Sequence, residues 1–303
     1  MRIVSLMPAA TEILFAMGLG SRLVGRSHAC DFPPEAADLP VVTVHDPESP
    51  ERTVDATTLA GLEPDLILTD GSDDDPLVDY TEINRLTGGL ERETTLVALA
   101  PQSVEGMFNA ISTVGAYTEA EYEAVGLVEI LRERLRLAEP DAFSGARRVD
   151  PPRRVVVLEG LAPLLTAGRW VPELVRRAGG WELLGREGEP STVTGWDQLR
   201  DVEPDVLILA LRDHDAAGAA EVPQRAALPA WFDELEAVRD GEFFAVDGHG
   251  LLARPGPRLI DGIAVLAELF DPERLAGAGP VEAWLPLAPV GLAGGRPTGR
   301  SRR

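Results

Sequence analysis

Leu59-Ala60-Gly61-Leu62-Glu63-Pro64-Asp65-Leu66-Ile67-Leu68 returns in the same chain as Leu199-Arg200-Asp201-Val202-Glu203-Pro204-Asp205-Val206-Leu207-Ile208, with Glu63 and Glu203 140 residues apart. In each copy a helical segment runs into Glu-Pro-Asp, and an apolar run of strand length follows. Proline cannot continue the helix, and it biases the residue before it toward extended backbone. The apolar run reads as a strand buried on both faces, the pattern of a parallel sheet. A second echo supports the first. Arg2-Ile3-Val4-Ser5-Leu6 and Arg154-Val155-Val156-Val157-Leu158 are both basic-then-apolar strands. Each is followed by a helix ending in glycine, at Met17-Gly18 and at Ala178-Gly179-Gly180, where a left-handed C-cap is favoured. The expected architecture is α/β, with two Rossmann-like lobes built on parallel sheets and a ligand held between them.

Composition narrows the class. The chain has 303 residues, enough for two domains with full cores, and 45% hydrophobic against 26% charged residues, ordinary for a globular protein. No uninterrupted apolar run reaches the roughly 18 residues a membrane-spanning helix needs. The formal charge is −22, and every one of the 28 basic residues is arginine. An acidic surface repels phosphate backbones, so nucleic acid is excluded as a partner. With Cys30 as the single cysteine, no internal disulfide can form.

Strands alternate with helices up to about residue 100 and again from Arg154 to Glu273, the signature of parallel sheets covered on both faces. Between them, Val104, Met107, Phe108, Ile111 and Val114 keep helical spacing, Thr118-Glu119-Ala120-Glu121 reads as a capping box, and Tyr122, Val125, Ile130, Leu131 and Leu135 continue the stripe. The expected division is an N-terminal lobe over 1–102, a long interlobe helix over 103–140, a C-terminal lobe over 141–275 and a disordered tail over 276–303.

Several segments carry chemistry. Ser5-Leu6-Met7-Pro8-Ala9-Ala10-Thr11-Glu12 joins the first strand to the first helix, where open α/β sheets bind ligands, but it lacks the glycines of a nucleotide site. Ser27-His28-Ala29-Cys30-Asp31 concentrates an imidazole, a thiol and a carboxylate, yet three groups on one short loop do not close a tetrahedral metal site. Asp70-Gly71-Ser72-Asp73-Asp74-Asp75 lacks the spacing of a calcium loop and reads as solvated. Trp170 and Trp196 open consecutive helices and could offer an apolar platform to a flat ligand, with core packing as the plainer alternative. Arg254-Pro255-Gly256-Pro257-Arg258 precedes the last long helix and could serve an acceptor-rich group. No catalytic set and no metal-ligand set emerges.

On the segments 2–14, 27–33, 63–68, 167–174 and 254–258, the chain resembles the cobalamin-type solute-binding proteins of ABC transporters. The resemblance implies two α/β lobes bridged by one long helix and a corrinoid bound without chemistry being done on it. By matching position, Pro8, Leu165, Trp170 and Arg254 would face the ligand, flanked by the loop of His28 and Asp31, with Trp196 a further candidate. An ABC permease is the implied partner, the corrinoid is cargo, and no cofactor is expected. Rival readings are a receptor of the same fold for a siderophore, haem or metal ion, and a two-lobed tetrapyrrole chelatase. A strand-like start with Glu12 interrupting the next apolar stretch shows no export signal, so a cytoplasmic location is expected, or an extracytoplasmic one if a leader lies upstream of the numbered start.

Overall fold

The computed structural model describes residues 1–45, 52–71, 79–139 and 151–289. It divides into two compact units, Met1–Arg132 with Pro255–Pro257, and Glu133–Arg254 with the residues from Arg258 onward.

The first unit holds a four-stranded parallel sheet in the order Leu23–Arg26, Ile3–Ser5, Leu66–Asp70, Thr95–Leu99. Val4, Leu6, Leu59, Ile67 and Ile83 pack into one core cluster, which is why the apolar runs carry no polar alternation. A short antiparallel pair, Thr43–His45 with Arg52–Val54, stands outside this sheet.

The Glu-Pro-Asp repeat has a physical meaning in both units. Glu63 and Glu203 sit in the left-handed region, at φ 44° and 42°, at the C-terminal ends of the helices Ala56–Gly61 and Trp196–Val202. The proline then releases the chain into the strand. Asp65 Oδ2 accepts the main-chain N–H of Arg2 at 2.7 Å, and Asp205 Oδ2 accepts that of Arg154 at 2.8 Å. The aspartates return their own N–H to the Arg2 and Arg154 carbonyls, at 2.8 Å each. Each arginine side chain donates to the helix end beside it, Arg2 to the Leu62 carbonyl and Arg154 to the Val202 carbonyl. A helix end, a strand start and a neighbouring strand are thus closed by one residue pair.

Residues 103–139 form two helices, Val104–Thr118 and Glu121–Ala138. Ser103 caps the first by accepting from the Gly106 N–H at 2.9 Å. The break falls where the capping box was expected, but Thr118 is not the cap. Its hydroxyl donates back to the Val114 carbonyl at 2.7 Å, and Glu119 in the left-handed region, at φ 54°, makes the turn. A Cβ on Gly115 would lie 2.5 Å from that of Ala124, so the corner closes only over glycine.

The second unit carries a sheet in the order Thr192–Val193, Leu164–Thr166, Arg153–Leu161, Val206–Leu209, Phe243–Val246, Trp284–Pro286, with Gly180–Glu182 also paired to Arg153–Leu161. Its centre is parallel and its edges antiparallel. The stretch from Ala276, expected as a disordered tail, adds the strand Trp284–Pro286, with Trp284 edge-on to Phe244 at 5.5 Å. The remainder of that tail, 290–303, lies outside the described residues, as do residues 140–150 and 72–78, the latter holding most of the acidic stretch 70–75. Phe232–Glu234 and Glu236–Arg239 are two separate short turns, because Leu235 takes an extended ψ of 134° between them.

Arg153–Leu161 changes partner along one edge, parallel to Gly180–Glu182 at its start and antiparallel to Leu164–Thr166 at its end. At the gap the Val157 N–H has no strand to meet, and Glu182 Oε2 accepts it at 3.1 Å. Glu182 Oε1 also accepts the Leu184 and Gly185 N–H groups at 3.1 Å each. Burial pushes this carboxyl up to about 7, against the pull of those backbone donors.

Two outcomes follow for stability. Asp205→Ala should lower the unfolding free energy by about 1–3 kcal/mol, read from the urea midpoint, because the Arg154 N–H loses a charged acceptor. Glu182 is raised from 4.5 to about 7, so its contribution is full below pH 4.5 and is lost as pH rises through 7. Urea titrations across that range should show a loss on the order of 3 kcal/mol in the parent chain, and a flatter profile in Glu182→Gln.

Candidate functional site

Ligands of open α/β sheets bind beyond the carboxyl ends of the strands. In the first unit those ends lead into the Leu6-Met7-Pro8 turn and the Ser27–Pro33 loop. Pro8 is the first residue of the helix Pro8–Ala16 and is half-buried. The turn before it is pinned from within, since Ser5 Oγ donates to the Met7 carbonyl at 3.0 Å and Thr11 Oγ1 donates to Ser5 Oγ at 2.8 Å. The neighbouring loop is tied to the same strand. Ser27 N–H donates to the Ser5 carbonyl at 2.9 Å, and the buried Cys30 Sγ reaches that carbonyl at 3.6 Å.

His28 is half-buried, and Thr43 holds it on two sides. The Thr43 hydroxyl accepts the His28 main-chain N–H and shares a second hydrogen bond with Nδ1, both at 2.8 Å. Arg26 donates to the Ser27 and Ala37 carbonyls at 3.1 Å each, clamping the loop from behind. Asp31 is exposed, and Phe32 is 39% exposed beside it. Pro8 and the His28–Asp31 loop are therefore brought together on adjoining strand ends. Cys30 faces inward to Ser27 Oγ at 3.1 Å rather than toward His28, so the thiol serves the fold. Among the described residues, no group of three or more His, Cys, Asp or Glu side chains is arranged to hold a metal ion.

In the second unit, the strand ends converge on a polar cluster that sequence reasoning missed. Glu159 follows the buried run Val155–Leu158, Arg212 follows Val206–Leu209, and His249 follows Phe243–Val246. Glu159 Oε2 accepts from Arg212 Nε at 2.9 Å, with the Glu159 side chain only 7% exposed. Arg212 Nη2 donates to Ser191 Oγ at 3.0 Å. His249 Nδ1 lies 3.1 Å from the Arg212 carbonyl, and its Nε2 is 2.7 Å from Arg254 Nη2. The available signal was positional: each is the first or second strongly polar residue after a buried parallel strand.

Both tryptophan candidates are packed against specific partners. Trp170 is 5% exposed, and its Nε1–H donates to the Leu252 carbonyl at 2.6 Å. An indole ring buried in apolar surroundings must satisfy its N–H, and here it does so by holding the turn that carries Arg254. Trp196 packs edge-on against Phe232 at 5.9 Å, within the cluster of Leu199, Phe232 and Phe243. The two tryptophans are thus held by separate partners, one as a clamp and one at the core margin, and they form no shared open platform. Leu165 is half-buried on the hairpin strand, opposite Gly160 and Val193. Arg254 is 8% exposed. Beneath it, Gly248 cannot be replaced without a clash, because a Cβ there would stand 2.3 Å from the Leu211 carbonyl oxygen.

Residues 3–249 match the model of the periplasmic binding protein family. The chain belongs to that family. It is 27% identical over 282 residues to an uncharacterized ABC transporter substrate-binding lipoprotein of Bacillus subtilis, covering 90% of this chain and 80% of that one. It is 25% identical over 264 residues to the vitamin B12-binding protein of Vibrio cholerae, covering 86% of each. The crystal structure of a periplasmic heme-binding protein from Pseudomonas aeruginosa superposes with a TM-score of 0.73 at 23% identity, over 95% of this chain and 98% of that one, a likeness of fold. The chain is therefore a solute-binding protein by family; one of these relatives is named as an ABC transporter substrate-binding lipoprotein and the other as a vitamin B12-binding protein. No described helix is long and apolar enough to cross a membrane.

These findings overturn the cytoplasmic location expected from the sequence, since the relatives are a lipoprotein and a periplasmic receptor. The segment from Met1 to Glu12, on which that expectation drew, is the first strand and helix of the first unit.

Trp170→Phe keeps the ring but deletes the donor to Leu252, leaving a buried carbonyl short of a partner. Thermal or urea unfolding should show a loss of about 1–3 kcal/mol. An unchanged midpoint would show that the indole N–H holds nothing.

Proposed function

We propose that this chain is the solute-binding component of an ABC uptake system and that its solute is cobalamin or a related corrinoid. The observation that carries this reading is the 25% identity to the vitamin B12-binding protein, spread over 86% of both chains. The loops agree with it. A corrinoid is a broad ring fringed with amides, so it calls for half-buried apolar contacts with donors at the rim. Pro8 and the His28–Asp31 loop of the first unit supply one set. Leu165 and Arg254 of the second supply another, with Trp170 acting through the turn it clamps. The corrinoid is cargo: the protein binds and releases it without chemistry, needs no resident cofactor and hands it to a permease.

Haem is the second reading, favoured by the Pseudomonas heme-binding protein that shares the fold. That likeness speaks to architecture, whereas the vitamin B12-binding relative is a match of sequence along most of the chain.

Calorimetric titration with cyanocobalamin, dicyanocobinamide, haemin and a ferric siderophore separates the readings. Saturable binding of the two corrinoids is expected, with Arg254→Ala weakening it by roughly tenfold or more, the scale of a binding hot spot. Binding of haemin alone would replace the corrinoid with a porphyrin. Wild-type protein indifferent to both corrinoids would end the assignment.

A further inference from the structure

We infer that His249 is a positioning residue for Arg254, and that solute binding requires its imidazole to be neutral. The inference rests on the reading of Arg254 as a solute-binding residue. Its origin is the arrangement of the two ring nitrogens. A carbonyl oxygen can only accept, so the Nδ1 that lies 3.1 Å from the Arg212 carbonyl carries the proton. Nε2 is then the acceptor, and at 2.7 Å it takes a hydrogen from Arg254 Nη2. One neutral tautomer satisfies both neighbours.

A second proton breaks this arrangement. Protonated imidazole has two donors and no acceptor, so the bond from Arg254 is lost and two cations meet. Other charged and titratable groups pack close to the ring. Arg212 lends its carbonyl, while its guanidinium is already paired with Glu159 at 2.9 Å. His214 accepts the His249 main-chain N–H through its own carbonyl at 3.1 Å. The Asp247 carboxylate is turned into the cap of the turn, accepting from the Gly250 N–H at 2.7 Å. The Arg258 guanidinium and the second Asp247 carboxylate oxygen both lie against Gly250.

The turn is also stiff enough for the ring to matter. His249 lies in the turn Gly248–Leu252, which Asp247 caps at one end and the Trp170 indole holds at the other. Arg254 leaves that turn two residues later, so its direction is set by the Leu252 anchor and the His249 acceptor together. Proton uptake by His249 and retention of Arg254 then compete, and by linkage so do protons and solute.

Two measurements test this. Two-bond proton–nitrogen NMR spectra of the unliganded protein should show His249 as the Nδ1–H tautomer, and Arg254→Ala should raise its titration midpoint. Cyanocobalamin affinity of the wild type should fall roughly tenfold between about pH 8 and pH 5, the scale of one charge-assisted hydrogen bond. His249→Ala should weaken binding as much as Arg254→Ala, with no further loss in the double variant. His249→Gln, which keeps an acceptor, should restore binding and remove its pH dependence. A pH dependence surviving in His249→Gln, or wild-type affinity in His249→Ala, overturns the inference. Should the wild type ignore cyanocobalamin altogether, the corrinoid reading falls and the spectra alone decide His249. An Nε2–H tautomer, or a midpoint unmoved by Arg254→Ala, then removes the positioning role.

Discussion

A carboxylate that accepts the main-chain N–H opening the first strand, while its own N–H returns to that residue's carbonyl, occurs once in each unit. The pairs are Asp65 with Arg2 and Asp205 with Arg154. Everything downstream in each unit depends on this exchange, because it sets the register of the two central strands. Ile3 then pairs with Leu66, and Val155 with Val206. A slip of one residue would exchange the side chains of the two buried faces and undo the packing on both. Asp65 is held below the ordinary carboxylate value, first by the Arg2 N–H and then by the Arg92 guanidinium. Its support is accordingly full above the ordinary value of 3.8 and is lost as pH falls from there through its folded-state value.

The repeat was legible in the sequence because its physics is local. A proline after a helix, an aspartate beside it and an apolar run beyond are all within reach of spacing arguments. The parallel strands and the helix break near Thr118 were legible for the same reason. What escaped was non-local. The hairpin strand Leu164–Thr166 and the strand Gly180–Glu182 share one edge of a longer strand, and only the folded chain shows the vacancy that Glu182 fills. The strand Trp284–Pro286 lies in a stretch of Gly and Pro whose composition reads as coil, and it owes its order to Phe244.

The sequence candidates fall at recognisable places in the fold, while their contacts are set by neighbours remote in sequence. Pro8, His28, Leu165 and Arg254 do lie on strand ends or the loops beyond them. Trp170 and Trp196 were weighed as surfaces because tryptophan is large and apolar, yet the indole N–H and the neighbouring Phe232 decide what each ring does. Glu159, Arg212 and His249 carry no motif. Single polar residues after buried strands become a network only when three parallel strands set their ends side by side, as Arg153–Leu161, Val206–Leu209 and Phe243–Val246 do.

The edges of the second sheet bear on a different property, resistance to self-association. Its outermost strands are Thr192–Val193, two residues long, and Trp284–Pro286, three residues ending in proline. An open edge templates another chain through its row of free backbone donors and acceptors, and both short length and proline remove that row. Val193 is 67% exposed on one of these edges, an apolar side chain with almost no ladder behind it to recruit a partner strand. Neither of these two strands therefore offers a neighbouring chain a ladder to extend.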